Sequence, residues 1–176
     1  WELATQVDDA LERRLEYAFS QQYGYLTACP TNTGTGMRAS VMMHLPALVM
    51  AHQAGQLFNA LSKVGIAVRG LYGEGTEATG NIFQISNQVT LGQSEREILV
   101  NLQGVCRQVI DRERATRQRL QQSRRHQLED RAWRAWGILS NARAISTREA
   151  MSLLSDLRLG VDLGIIPHVE PRVFNE

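Results

Sequence analysis

Ser94 divides the 176-residue chain into two stretches with different hydrophobic periods. Before it, apolar residues come in short runs punctuated by glycine and proline. "RASVMMHL", "IAVRG" and "NIFQISN" are rich in β-branched or aromatic residues and bounded by turn formers, the signature of strands. "NIFQISN" also alternates, with Ile82, Gln84 and Ser86 set against Phe83, Ile85 and Asn87. After Ser94 the period becomes helical: Ile98, Leu102, Val105 and Val109 share one face. Ser94, with Glu97 three residues on, forms a capping box that starts this helix. Strands in the first half and helices in the second predict an α+β fold rather than a βαβ alternation. The division falls between residues 1–93 and 94–176.

Finer features follow the same logic. Residues 2–19 read as an amphipathic helix with Val7, Leu11, Leu15 and Ala18 on one stripe. Pro46 opens a helix, as proline at a first helical turn does, and Gly55 is expected to interrupt it. "LFNALSKVG" continues as a second short helix stopped by Gly65. Beyond Asp111 the long helix turns polar. Arg112, Arg114, Arg117, Arg119, Arg124 and Arg125 are too evenly spread to form one stripe. That pattern suits a solvated helix projecting from the core, or a surface for an acidic protein or nucleic acid. A further helix runs through Trp133 and Trp136, and another starts at the Ser146/Glu149 capping box and is expected to end at Gly160.

Composition narrows the function classes. The chain carries 43% hydrophobic and 21% charged residues and a net charge of +1, the balance of a soluble globular domain with no membrane-spanning run. Its only cysteines, Cys29 and Cys106, make no disulfide framework, which favours a reducing, cytoplasmic setting. The histidines and cysteines lack metal-ligand spacing. Of 19 basic residues only Lys63 is lysine. Arginine is the side chain of bidentate phosphate and carboxylate recognition, though genome composition produces the same bias. The abrupt ends, with no initial Met and no closing motif after "PRVFNE", lead us to expect a piece of a longer protein.

Two glycine-rich stretches each carry an arginine: "TNTGTGMR" with Arg38, and "RGLYGEGTEATG" with Arg69, Glu74 and Glu77. Neither is a Walker loop, which ends in Gly-Lys-Ser/Thr, and neither opens a helix as a dinucleotide fingerprint does. Two arginines on strands beneath such loops suit a polyphosphate, because guanidinium groups grip phosphate oxygens in pairs. Surface ion pairs and simple turns are the competing explanation. Glu77 offers a carboxylate that could hold a cationic acceptor or take its proton. Cys29, beside Pro30 and Thr31 in a polar turn, is expected to be accessible, and nearby arginines would favour its thiolate. Cys106, on the apolar side of the long helix, reads as core.

"CPTNTGTGMRASV" and "RGLYGEGTEATGNIFQISN" resemble, in the right order, the two signature blocks of the ATP:guanidino phosphotransferases, the group containing arginine kinase and creatine kinase. Metabolite kinases of the family typically read "RASVHIKLP" and "RGTRGEHTEAEGGVYDISN". Met42, Met43, His44, Tyr72, Gly75 and Gln84 depart from those patterns. These departures, with "HLPAL" and "SDLRLGVDLGII", resemble the bacterial branch that phosphorylates arginine side chains in proteins.

The resemblance implies an antiparallel sheet flanked by helices, with residues 1–93 forming part of the catalytic domain. It implies ATP and Mg²⁺ as cofactors, the ion held mainly by phosphates and water, with no protein metal site. Arg38, Ala39, Ser40, Val41 and Met42, with Arg69, Gly70, Leu71, Tyr72, Gly73 and Glu74, would line the nucleotide site. Arg38 and Arg69 would clamp the phosphates. Glu77 would engage the acceptor guanidinium, with the reactive Cys29 beside it. The implied activity is phosphorylation of arginine side chains in proteins, marking them for Clp-type degradation. Implied partners are proteins with exposed arginines, an activator protein and Clp protease components. A homodimer is compatible with this reading, and neither a membrane nor nucleic acid is expected. The alternatives are a kinase of free arginine or a related guanidino metabolite, and a non-catalytic adaptor binding through its Arg-rich helix. The family's Ser-x-Arg-x-Arg segment and a second catalytic acid are not found, nor is the branch's Arg-Asp-x-x-Arg-Ala motif. The chain is therefore expected to be inactive alone.

Overall fold

The computed structural model describes residues 1–70, 78–167 and 169–174. Helix α1 (Glu2–Glu12) leads into a two-stranded ribbon of β1 (Phe19–Ser20) and β2 (Gly24–Tyr25). β3 (Ser40–His44), α2 (Pro46–Met50), α3 (Ala54–Ser62), β4 (Ile66–Gly70) and β5 (Ile82–Asn87) follow. The second half is helical: α4 (Glu95–Ser123), α5 (Arg125–Asn141) and α6 (Thr147–Asp162). β3, β5 and β4 form an antiparallel sheet in that order, so the last strand in sequence sits at its centre. The expected α+β class with a helical C-terminal part is what the chain adopts.

Strand alternation splits the sheet into two faces. Met43, Phe83 and Ile85 point to one, where Leu57, Phe58, Leu61, Leu102, Cys106 and Val109 complete the main core. The Phe58 and Phe83 rings pack with centroids 4.7 Å apart. Ile85 is fully buried at the centre, a contribution of about 1.5–3 kcal/mol by apolar transfer. The first half of α4 therefore belongs to the core of the sheet. Its start is fixed as the sequence predicts, because the Ser94 hydroxyl accepts the Glu97 N–H while Glu97 accepts the Ser94 N–H.

The second half of α4 does not project freely. Glu113, Thr116 and Leu120 are all buried, at helical spacing, despite the surrounding arginines. Glu113 Oε1 and Oε2 accept the N–H groups of Ala47 and Leu48 at 3.0 and 2.9 Å. These are two of the orphan donors at the start of α2, where Pro46 supplies none. Arg117 then bridges Glu113 at 2.7 Å and Asp162 of α6 at 2.9 Å.

Three helix boundaries differ from the sequence expectation. α1 ends at Glu12 rather than at 19, and it buries no residue: Val7, Leu11 and Leu15 stay exposed. The break between α2 and α3 lies at residues 51–53, where His52 takes φ +56°, while Gly55 sits inside α3. α6 continues past Gly160 to Asp162. It stops at Gly164, whose φ of +70° suits glycine. There the Ile165 N–H reaches the Gly160 carbonyl and the Gly164 N–H reaches Val161, a Schellman closure. Gly160 serves packing instead, lying against Ala132 of α5.

Candidate active site

The face of the sheet opposite the core carries the polar residues. Paired residues of neighbouring strands share a face. Met42 lies opposite Gln84, and Gln84 opposite Arg69, so these three form one row. Ser40, Ser86 and Ala67 form the next. Arg38, just before β3, reaches back along this face, its guanidinium 3.4 Å from the Ser86 hydroxyl. That puts it one row, roughly 7 Å, from the row of Arg69. Both arginines are exposed over the same surface.

Of the five residues expected from Arg38 to Met42, alternation gives Arg38, Ser40 and Met42 to this face. Ala39 packs toward the core, and Val41, paired with Ile85, lies on the core side. These two offer a ligand on the arginine face only backbone. Ser40 is oriented by Gln84, which donates to its hydroxyl at 3.1 Å. Gly70 pairs with Phe83 at the end of β4. Leu71, Tyr72, Gly73, Glu74 and Glu77 lie outside the described residues.

Cys29 is exposed at the start of the turn Pro30–Asn32. Its Sγ lies 2.9 Å from the Thr31 hydroxyl. Hydrogen bonds from the Thr31 side chain and backbone hold the thiol below its ordinary value, because they favour the thiolate. The turn itself, rather than neighbouring arginine, supplies this effect. Cys106 is buried, and burial raises its thiol.

Sequence reasoning missed several polar residues that organise this region. Asn87 bonds the backbone on both sides of Arg38. Thr90 holds the carbonyls of Thr31 and Thr33. At the far end of the sheet, Asn81 donates to Ser155 of α6 at 2.7 Å, and Ser155 lies 2.8 Å from His44 Nε2. Burial and the nearby Arg117 push His44 down to about 4, with Asp162 opposing the shift. The Ser155 oxygen accepts from Asn81, and its hydroxyl shares a second hydrogen bond with the neutral His44. Met42, His44, Ile82, Met151, Ser155 and Phe174 line a cleft of about 520 Å³ between the sheet and α6. It adjoins the arginine face through Met42. A polar residue in a strand reads as surface, so only the partners, distant in sequence, reveal these roles.

Among the described residues, no group of three His, Cys, Asp or Glu comes together as a metal cage.

Residues 1–116 match the family model of the ATP:guanido phosphotransferase C-terminal catalytic domain. Residues 125–176 match that of the protein-arginine kinase McsB C-terminal domain. Over all 176 residues the chain is 62% identical to a protein-arginine kinase of Symbiobacterium thermophilum and 59% identical to one of Moorella thermoacetica. It spans about half the length of these curated relatives, 50% of each. Among solved structures, lombricine kinase is 36% identical with a TM-score of 0.53, over 65% of this chain and 30% of that one. The duplicated taurocyamine kinase of Schistosoma mansoni is 32% identical with a TM-score of 0.55, over 63% of this chain and 15% of that one. With residues 1–116 inside the catalytic-domain model, the chain belongs to the ATP:guanido phosphotransferase family.

Proposed function

We propose that the protein of which this chain is a part transfers the γ-phosphoryl group of ATP to arginine side chains of other proteins. The observation that carries the phosphoryl-transfer reading is the placing of Arg38 and Arg69 over one face of the sheet, in adjoining rows. The choice of a protein acceptor rests on the relatives named protein-arginine kinase and on the match of residues 125–176.

In this reading Arg38 and Arg69 grip phosphate oxygens and neutralise the charge that spreads over them during transfer. A guanidinium nitrogen of the acceptor attacks the γ-phosphorus in line. The new P–N bond forms as the bond to the β-phosphate oxygen breaks, ADP leaves with that electron pair, and the nitrogen gives up its proton to the acceptor-binding carboxylate. A guanidinium is a poor nucleophile because its lone pairs are delocalised. A carboxylate that pairs with two of its N–H groups would orient it and accept the developing charge. Glu77 is our assignment for that carboxylate, with Glu74 assigned to the nucleotide. The Cys29 thiolate, favoured by Thr31, would lie beside the guanidinium as a second anion. Mg²⁺ would arrive with the nucleotide and supply positive charge to its phosphates.

Proteins with exposed arginines, an activator protein and Clp components are the proposed partners, in the cytoplasm. No helix among the described residues is long and apolar enough to cross a membrane. A free guanidino metabolite is the second reading, favoured by the likeness to lombricine and taurocyamine kinases. The full-length enzyme, incubated with γ-labelled ATP and either casein or free arginine, separates the two. Acid-labile label on casein is expected. Label on free arginine alone would overturn the protein-acceptor reading.

A further inference from the structure

The antiparallel ladder between β3 and β5 ends in an unusual way. Ser40 and Ser86 form the last regular pair. At the next rung the Asn87 N–H donates to the Ala39 carbonyl at 3.3 Å. The return bond does not reach a backbone carbonyl. The Ala39 N–H instead donates to Asn87 Oδ1 at 2.8 Å. Asn87 Nδ2 donates to the Met37 carbonyl at 3.0 Å and to Val89 at 3.2 Å. One planar amide thus pins the residue before Arg38 and the residue after it. Only a side chain with a donor and an acceptor in one short plane can do this. Aspartate would set a carboxylate oxygen against two carbonyl oxygens.

Three residues on, the chain grips a second segment. Thr90 is buried, and its Oγ1 lies 2.9 and 2.8 Å from the carbonyls of Thr31 and Thr33. Its own carbonyl accepts the Thr35 N–H at 2.9 Å. Gly34 passes so close to that carbonyl, at φ +114°, that a Cβ there would overlap it. The turn is therefore moulded onto Thr90. Thr31 is the residue that bonds the Cys29 thiol, and the Asn32 N–H returns to the Cys29 carbonyl at 3.0 Å. Met37 ties the two segments together, its N–H reaching the Thr35 hydroxyl at 3.2 Å.

We propose that Asn87 and Thr90 are positioning residues, acting from one stretch of chain to hold Arg38 and the Cys29 turn in fixed relation. The proposal rests on the reading that Arg38 and Cys29 work at the same transfer centre. If one grips the phosphoryl group and the other the acceptor, their separation must be held. A misplacement of about 1 Å can cost on the order of 10²-fold in rate.

The test uses the full-length enzyme in two arms. The first follows alkylation of Cys29 by iodoacetamide against pH, read by mass spectrometry of its peptide and needing no activity. Thr90→Val removes the hydroxyl at nearly constant shape, and Thr90→Ser restores it. The valine variant should alkylate with its profile displaced to higher pH, and the serine variant should follow the parent. An unchanged profile in Thr90→Val would overturn the role of Thr90. The second arm is a double-mutant cycle. Asn87→Asp should lower kcat about 10-fold or more with little change in KM for ATP, and add less than about 2-fold in an Arg38→Ala background. Effects that multiply fully would show that Asn87 does not act through Arg38. If Asn87→Asp fails to fold, Asn87→Ser, which keeps a partner for the Ala39 N–H, takes its place. Full activity of Arg38→Ala alone would instead sink the phosphate-clamp reading, and the alkylation arm would still decide Thr90.

Discussion

The carboxylate of Glu113, buried on α4, accepts the backbone N–H of Ala47 across 66 residues of sequence. Its second oxygen takes the N–H of Leu48, and Arg117 approaches from the next turn. A single side chain therefore caps α2, neutralises an arginine and fixes α4 against the segment that follows β3. Glu113→Gln keeps the shape but turns an N–H₂ group toward one of the two donors. It should destabilise the fold by about 1.5–3 kcal/mol, the range for hydrogen bonds to a charged group. Urea denaturation checks this, and a change below about 0.5 kcal/mol would mean that the cap is dispensable.

Gly160 and Gly137 should respond oppositely to alanine. Both lie inside helices, where alanine is favoured by about 1 kcal/mol. A Cβ at Gly137 meets nothing within 4 Å, whereas one at Gly160 would lie 2.5 Å from the Ala132 Cβ. Gly137→Ala should therefore raise the melting temperature. Gly160→Ala should lower it, because overpacking costs about 1–3 kcal/mol where neither backbone can yield.

How far the sequence reveals this fold depends on how local the determinants are. The start of α4 is legible because its capping box is written in four consecutive residues. The strands are legible from β-branched content and alternation, yet their order is not. β5 occupies the centre through pairing of Gln84 with two partners, Met42 and Arg69, that lie far from it in sequence. The end of α6 is misread because Gly160 and Gly164 both look like stop signals, and only the packing on Ala132 distinguishes them. Glu113 reads as one more charge in a polar run, because the donors it satisfies lie on another helix. The site shows the same split. Arg38, Arg69 and Cys29 stand out by motif, whereas Asn87, Thr90 and Ser155 matter only through contacts that folding creates.

Arg38 and Arg69 should be separately required by the full-length enzyme. Replacing either by alanine is expected to reduce kcat by about 10³-fold or more, by analogy with arginine fingers. Lysine should rescue poorly, since a point charge cannot reproduce the guanidinium fork. Steady-state kinetics with saturating ATP measures this. Near-parental turnover in both alanine variants would remove the arginines from the mechanism.

The roles of Glu74 and Glu77 can be told apart by isosteric replacement. The glutamate that pairs with the acceptor should, as glutamine, retain ATP affinity within a few-fold and lose at least roughly 10²-fold in kcat. We expect this of Glu77→Gln, with Glu74→Gln acting on ATP affinity. The reverse pattern would exchange the two roles. Loss of ATP binding with turnover kept at saturation in both would exclude either as the acceptor's partner.

His44 should make stability depend on mildly acidic pH. Its Nε2 is hydrogen-bonded to the Ser155 hydroxyl while Arg117 of α4 and Arg158 of α6 face it and Asp162 partly offsets them. Its ordinary value of 6.5 falls to about 4 in the folded protein. Between those values the unfolded chain takes up a proton that the folded chain refuses. Stability is therefore complete above about pH 6.5 and is lost as pH falls toward about 4. At 1.36 kcal/mol per unit, the loss across that window is about 3 kcal/mol. His44→Gln offers Ser155 an amide that does not titrate. Urea midpoints measured from about pH 4.5 to 7.5 should fall more steeply for the parent than for the variant, over the window set by these values. Parallel curves would mean that His44 takes up its proton as readily in the folded protein as in the unfolded chain, and burial would then not hold it neutral.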